Sequence, residues 1–193
     1  MGALTTLISA TAEPITLSAL KLHLKVDDDT AGLLLSSYLR AAREHVENAT
    51  RRALMTQTFS YGLDCDWPVV NGLRRIELPI QPIQSVSSVT YVNASGNTTT
   101  LGTDQYALRH TGPNNVAFIE PAYEAQWPEV RNQSQAITVT FVAGYASAAA
   151  IPESLKTAMI LHAELLFDRN PVSKESLESA RDSLLSPYRV VRL

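Results

Sequence analysis

A chain of 193 residues with 45% hydrophobic and 18% charged residues has ordinary globular composition, enough for one sizeable core or a core with an inserted subdomain. Its formal net charge of -3 argues against a dedicated nucleic-acid binder, since neutralising phosphates takes a concentrated excess of Lys and Arg. The only cysteine, Cys65, cannot form an intrachain disulfide, no run approaches the ~20 apolar residues of a membrane span, and the first residues lack the basic region of a secretory signal. A cytosolic origin is therefore expected, and the Asn-x-Ser/Thr triplets at Asn48, Asn97 and Asn132 read as accidents of composition.

Residues 1–13 read as a flexible leader ended by Pro14. Thr16 can cap a short helix carrying Leu17, Leu20 and Leu24 on one side and stopping near Val26. The cluster Asp27-Asp28-Asp29-Thr30 then supplies cap oxygens and negative charge for the amino end of the next helix. The acidic triple at 27–29 could also attract a hard cation, but capping is the stronger reading, because the alternating ligands, turn glycine and distal glutamate of an EF-hand loop are missing.

From Thr30 to Ala53 the positions Ala31, Leu35, Tyr38, Ala42, Val46, Ala49 and Ala53 recur at steps of three and four, which predicts one long helix with an apolar stripe. The other side carries Arg40, Arg43, Glu44, Glu47 and Arg51, with i,i+4 pairs each contributing a few tenths of a kcal/mol. That side is expected to be a solvated surface or a face between subunits.

The period then changes. Thr56 to Leu63, Arg74 to Leu78, Ser85 to Val92, Tyr106 to Arg109, Val116 to Ile119 and Ile137 to Val142 are short, β-branched or aromatic, and separated by Gly, Pro and Asn. Ile137, Val139 and Phe141 alternate with Thr138 and Thr140, and residues 93–97 read as a hairpin loop leading to the threonines at 98–100. A small antiparallel sheet or barrel is expected between two helical blocks.

Gly144 and Ala146 to Ala150 form a connector into a helix opened by Pro152 and Glu153, with Leu155, Ala158, Met159, His162, Leu165 and Leu166 on a broad buried face, ending by Pro171. A last helix, Lys174 to Leu185, carries Leu177, Ala180 and Leu184 and stops before Pro187. The fold class is thus α+β: a helical core from the N- and C-terminal helices, an inserted antiparallel β subdomain and an extended C-terminal arm. As one domain it divides into leader 1–13, helices 14–54, β-rich insertion 55–145, helices 152–186 and arm 187–193.

Chemistry is sparse. There is no Walker A loop, dinucleotide fingerprint or Gly-x-Ser-x-Gly elbow, and His23, His45, His110 and His162 are dispersed without metal-ligand spacing. Neither metal nor cofactor is expected. The carboxylates flanking Cys65 would raise its thiol pKa, although a small hydrolase using Cys65 or a serine with His110 or His162 stays open, since such partners meet only in space. His162 reads as a satisfied packing residue.

The anomaly is the arm Pro187-Tyr188-Arg189-Val190-Val191-Arg192-Leu193, apolar and basic where a monomer usually carries polar disorder. It either folds back as an edge strand or docks on a partner through apolar anchors and arginines.

Taken together, Ile15-Thr16-Leu17-Ser18-Ala19-Leu20-Lys21-Leu22-His23-Leu24-Lys25-Val26-Asp27, the helix end Glu44 to Leu54, Phe141-Val142-Ala143-Gly144-Tyr145, Ile151-Pro152 and the closing Leu184 to Val190 resemble the head-tail connector (adaptor) family of tailed bacteriophages. The resemblance implies a structural virion protein of the neck, assembled in the host cytoplasm, that forms a ring, usually dodecameric, beneath the portal. It implies the portal protein and a stopper or tail-completion protein as partners, DNA passing without specific binding, no membrane, and an arm that engages the portal. The alternative is another virion part: a stopper, tail terminator or decoration subunit.

Overall fold

A computed structural model describes residues 2–27, 31–64, 67–70, 72–111, 116–168 and 171–189, the side chains of 171–173 excepted. The chain divides into two compact units, one of Ala10–Met55 with Tyr145–Leu193 and one of Met1–Ser9 with Thr56–Gly144.

The first unit is helical. Helix α1 (Leu17–Leu24) starts where Thr16 Oγ1 accepts the Ala19 N–H at 3.2 Å. It ends on Lys25 in the left-handed region, φ 54, with the Lys25 and Val26 N–H groups donating to Leu22 O and Lys21 O. This two-bond ending satisfies carbonyls the helix would otherwise leave open, with a lysine where glycine is usual.

Helix α2 (Gly32–Thr50) begins at Ala31, which offers no capping side chain. The expected cap residues Asp28, Asp29 and Thr30 lie outside the described residues. Its buried positions are Leu35, Leu39, Ala42, Arg43, Val46 and Thr50, so the apolar stripe includes Leu39, which the three-and-four count passed over.

Helix α3 (Glu153–Phe167) follows Pro152 and buries Leu155, Ala158, Met159 and Ala163, while Leu166 is 38% exposed and falls off the expected buried face. Helix α4 (Pro171–Leu185) starts three residues before the expected Lys174. Proline suits this first position because its missing N–H has no helical partner there. Ala180, expected in its apolar stripe, is exposed, and Leu185 is fully buried instead. The four helices enclose one core, in which Leu20, Leu35, Val46, Leu155, Met159 and Leu185 are solvent-free.

The second unit holds the strands β1 (Ala3–Ile8), β2 (Gln57–Leu63), β3 (Val69–Val70), β4 (Leu73–Arg74), β5 (Ile76–Glu77), β6 (Ile83–Val92), β7 (Thr98–Thr100), β8 (Tyr106–Thr111), β9 (Val116–Pro121) and β10 (Ile137–Ala143). They form sheets ordered β1-β2-β10-β6-β7, β5-β9-β8 and the hairpin β3-β4, every pairing antiparallel. Along β10, Ile137, Val139, Phe141 and Ala143 are buried and alternate with half-buried Thr138, Thr140 and Val142, the period-two signature of a strand with one face in the core. Phe141 packs on Phe59 of β2 with ring centroids 5.6 Å apart.

The hairpin loop at 93–97 forms as the sequence suggests. Asn93 Oδ1 accepts the Asn97 N–H at 3.0 Å, and Gly96 takes φ 87, which a side chain would strain. The expected strand Arg74 to Leu78 divides, since Arg74 pairs with Val69 whereas Ile76 and Glu77 pair with Ile119 and Phe118.

The leader is the main correction. Residues 3–8 form a strand antiparallel to β2, with Leu4 opposite Tyr61 and Thr6 opposite Phe59. It is an outer strand exposed along its length, with Leu7 56% and Ile8 59% accessible, so it carries no amphipathic alternation by which sequence alone would reveal it.

The contrast between these strands is measurable. Phe141→Ala should lower stability by about 3–5 kcal/mol in urea unfolding, because it empties a fully packed position, whereas Leu7→Ala should change it by less than about 0.5 kcal/mol.

Candidate interaction surfaces

The charged side of α2 is two surfaces. Arg40, Glu44 and Arg51 are exposed, in line with Leu33, which is 90% accessible. Arg43 is only 7% exposed. Its Nε lies 2.9 Å from Glu13 Oε2 and its Nη1 3.2 Å from Glu47 Oε2. Glu47 Oε1 in turn accepts the Leu54 N–H at 2.8 Å.

Arg43 is therefore held inside the subunit with Glu47 beside it, which corrects their placement on a side expected to be a solvated surface or a face between subunits. The signal missing from the periodicity is Glu13: a carboxylate from before α1 comes down on this turn and draws the guanidinium inward. A buried charge is tolerable when it is paired and hydrogen-bonded in this way. Beside it, Glu13, Ile15, Leu17, Leu39 and Arg40 line a groove of about 400 Å3 with Thr16 and Ser36.

The C-terminal segment is anchored before it leaves the helices. Ser186–Tyr188 form one 3-10 turn after α4. Tyr188 packs against the helical core. Arg52, 5% exposed, donates from Nε to Tyr188 O at 3.3 Å and holds its guanidinium 5.8 Å from the Tyr188 ring centre. Arg189 Nη2 stands 3.9 Å from Asp182 Oδ1. Of the expected arm, Pro187 and Arg189 are exposed and Tyr188 is half-buried, while Val190, Val191, Arg192 and Leu193 lie outside the described residues. Arg52 is the clamp on this segment.

His23 Nε2 is 2.8 Å from Glu164 Oε2, tying α1 to α3, and His110 is exposed on β8. His162 lies parallel to His45 with ring centroids 3.9 Å apart, and its Nδ1 is 3.0 Å from Arg181 Nη1. Among the described residues no three or more His, Cys, Asp or Glu side chains are placed to hold a metal ion. Cys65 lies outside the described residues. Beside the His45–His162 pair, the hydrogen bond from Arg181 holds the Asp182 carboxyl below the usual carboxylate range.

Residues 14–100 match the phage gp6-like head-tail connector protein family. That span contains two of the motifs that carry the resemblance, Ile15 to Asp27 and Glu44 to Leu54, while those at 141–145, 151–152 and 184–190 lie outside it. No curated protein matches the sequence. Among solved structures, the fold is similar to a chain in the neck of an empty gene transfer agent (GTA) particle computed with C6 symmetry, at TM-score 0.78 and 24% identity, covering 99% of this chain and 97% of that one. A chain of the native gene transfer agent virion matches at 0.74 and 24%, covering 98% and 96%. One from the native particle's neck computed with C12 symmetry matches at 0.65 and 25%, covering 99% and 97%. The matched family is one of structural connectors and not of enzymes.

Two neighbouring arginines separate interior from surface. Arg43→Ala removes the guanidinium shared by the Glu13 and Glu47 carboxylates and should cost about 3 kcal/mol in urea unfolding, while Arg40→Ala should stay within about 0.5 kcal/mol.

Proposed function

We propose that the protein is a head-tail connector, a structural virion component that assembles as a ring in the neck and joins the head to the tail. The observation that carries this reading is the agreement of two independent likenesses: a connector-family match over residues 14–100 and a fold similar over almost the whole chain to proteins of particle necks with sixfold or twelvefold symmetry. No catalysis and no cofactor enter the role.

A cyclic ring joins two different patches of each subunit. The exposed line of α2, Leu33, Arg40, Glu44 and Arg51, is the patch this reading assigns to a neighbouring copy, with Arg43 and Glu47 holding the helix from within. Its mixed charge suits a protein partner with alternating carboxylates and cations better than a phosphate backbone, in keeping with DNA that passes the ring without being bound. A dodecamer is the number we assign, with the portal on one side and a stopper or tail-completion protein on the other.

The C-terminal arm is the portal-docking element in this reading, and the Arg52–Tyr188 clamp sets where it begins. Residues as far as Tyr188 belong to the folded subunit, which leaves Arg189, Val190, Val191, Arg192 and Leu193 to reach the portal through apolar anchors and guanidinium groups that fit carboxylates.

Two truncations test the reading with purified portal rings and light-scattering mass after size-exclusion chromatography. The full chain should form a ring-sized complex with the portal. Removing residues 190–193 should leave the unfolding midpoint unchanged and abolish the complex; removing 187–193 should in addition lower stability, because Tyr188 and its clamp go with it. Undiminished portal binding by the shorter truncation would take the arm out of the mechanism, and a full chain indifferent to the portal would overturn the connector reading.

A further inference from the structure

We propose that the stacked His45–His162 pair is an acid-operated latch: while both imidazoles are neutral it holds α4 and the turn bearing Tyr188 against α2 and α3, and protonation releases them. The latch acts within one subunit and does not depend on the ring.

The geometry puts titratable rings at a junction of three helices. His45 comes from α2, His162 from α3, and Arg181 from α4 donates from Nη1 towards His162 Nδ1 at 3.0 Å. The rings are 3.9 Å apart and within 7° of parallel. For His162 to accept from Arg181, Nδ1 must be bare and the ring proton must sit on Nε2. A second proton would go to Nδ1, where one N–H would confront another, and it would create an imidazolium beside a guanidinium and flat against a second imidazole.

The surrounding charges act in opposite directions, and burial with the cations outweighs the one carboxylate. The groups acting on the pair are Arg181 and Asp182 of α4 and Arg189 just beyond the final turn. Burial, then His45, then Arg181 push the His162 pKa from 6.5 down to about 4, with Asp182 opposing. Burial and then Arg181 lower that of His45 as well. Asp182 is itself engaged by Arg181, at 2.9 Å from Nη2, so its carboxylate is shared.

A histidine whose folded pKa lies below its unfolded value contributes stability that is whole above about pH 6.5 and is lost as pH falls towards the folded value. His162 is half-exposed, so solvent screening reduces the effect. An opening equilibrium about tenfold more favourable at pH 5.0 than at pH 7.5 remains. What opens follows from where Arg181 sits: it shares α4 with Leu185, which is fully buried, and α4 continues directly into Tyr188.

Hydrogen exchange of the full chain at pH 7.5 and 5.0, expressed as protection factors corrected for intrinsic rates, reads the latch. Protection of α4 amides should fall about tenfold while α2 and α3 amides keep theirs. His162→Phe keeps a ring on His45 and removes the more strongly shifted of the two titrating groups, so its α4 protection should fall by clearly less than that of the unmodified protein. Equal protection at both pH values, an equal fall in His162→Phe, or loss of protection throughout the helical unit would each overturn the proposal. Should that variant not fold, NMR titration of the unmodified protein decides: a His162 midpoint well below 6.5 supports the latch, and one at or above 6.5 overturns it.

Discussion

The pairing of β2 with β10 is the constraint on which the architecture depends. Its register sets Gln57 opposite Ala143, so the chain enters the β unit and leaves it through adjacent strands. More than half of the sequence, residues 51–152, intervenes between α2 and α3, yet Gln57 and Ala143, near the two ends of that stretch, pair directly. Loop-closure cost grows slowly with length, and a folded insertion whose ends are already close removes most of it. The consequence is one helical core drawn from both ends of the sequence, with Leu35, Leu39, Ala42 and Val46 of α2 in the same cluster as Leu155, Ala158, Met159 and Ala163 of α3.

Two buried arginines then organise the periphery of that core. Arg43 ties the segment before α1 to α2 through Glu13, and with Glu47 it secures the turn at Leu54. Arg52 ties the opposite end of the chain to the same region through Tyr188. Each guanidinium supplies several donors in a rigid plane, which suits it to joining two segments where the point charge of a lysine would join one.

Much of this was legible in the residues. Thr16 as a cap, the hairpin at Asn93, the alternation along β10 and the long α2 all follow from local chemistry, which the tertiary structure leaves unopposed. Sequence failed where a distant partner decides. Arg43 sits among residues that score as polar, and only Glu13, thirty positions away, turns it inward. Residues 3–8 have β-branched and apolar side chains, but a strand accessible on both faces leaves no period to detect, and only its pairing with β2 defines it. Tyr188 looked like the base of a free arm because nothing nearby in sequence announces Arg52. The stacked histidines were likewise invisible, since His45 and His162 occupy separate helices and meet only in the folded unit. The family likeness was readable because its helical motifs are local, whereas neither the exposed line of α2 nor the arm carries a pattern that identifies what it touches.

The most direct test of the connector role is a symmetry-free electron cryomicroscopy reconstruction of the neck of particles that carry this protein. The account predicts several copies of this two-unit fold arranged cyclically between the portal and the tail. Finding the fold on the capsid surface, at the tail tip, or missing from the particle would contradict it.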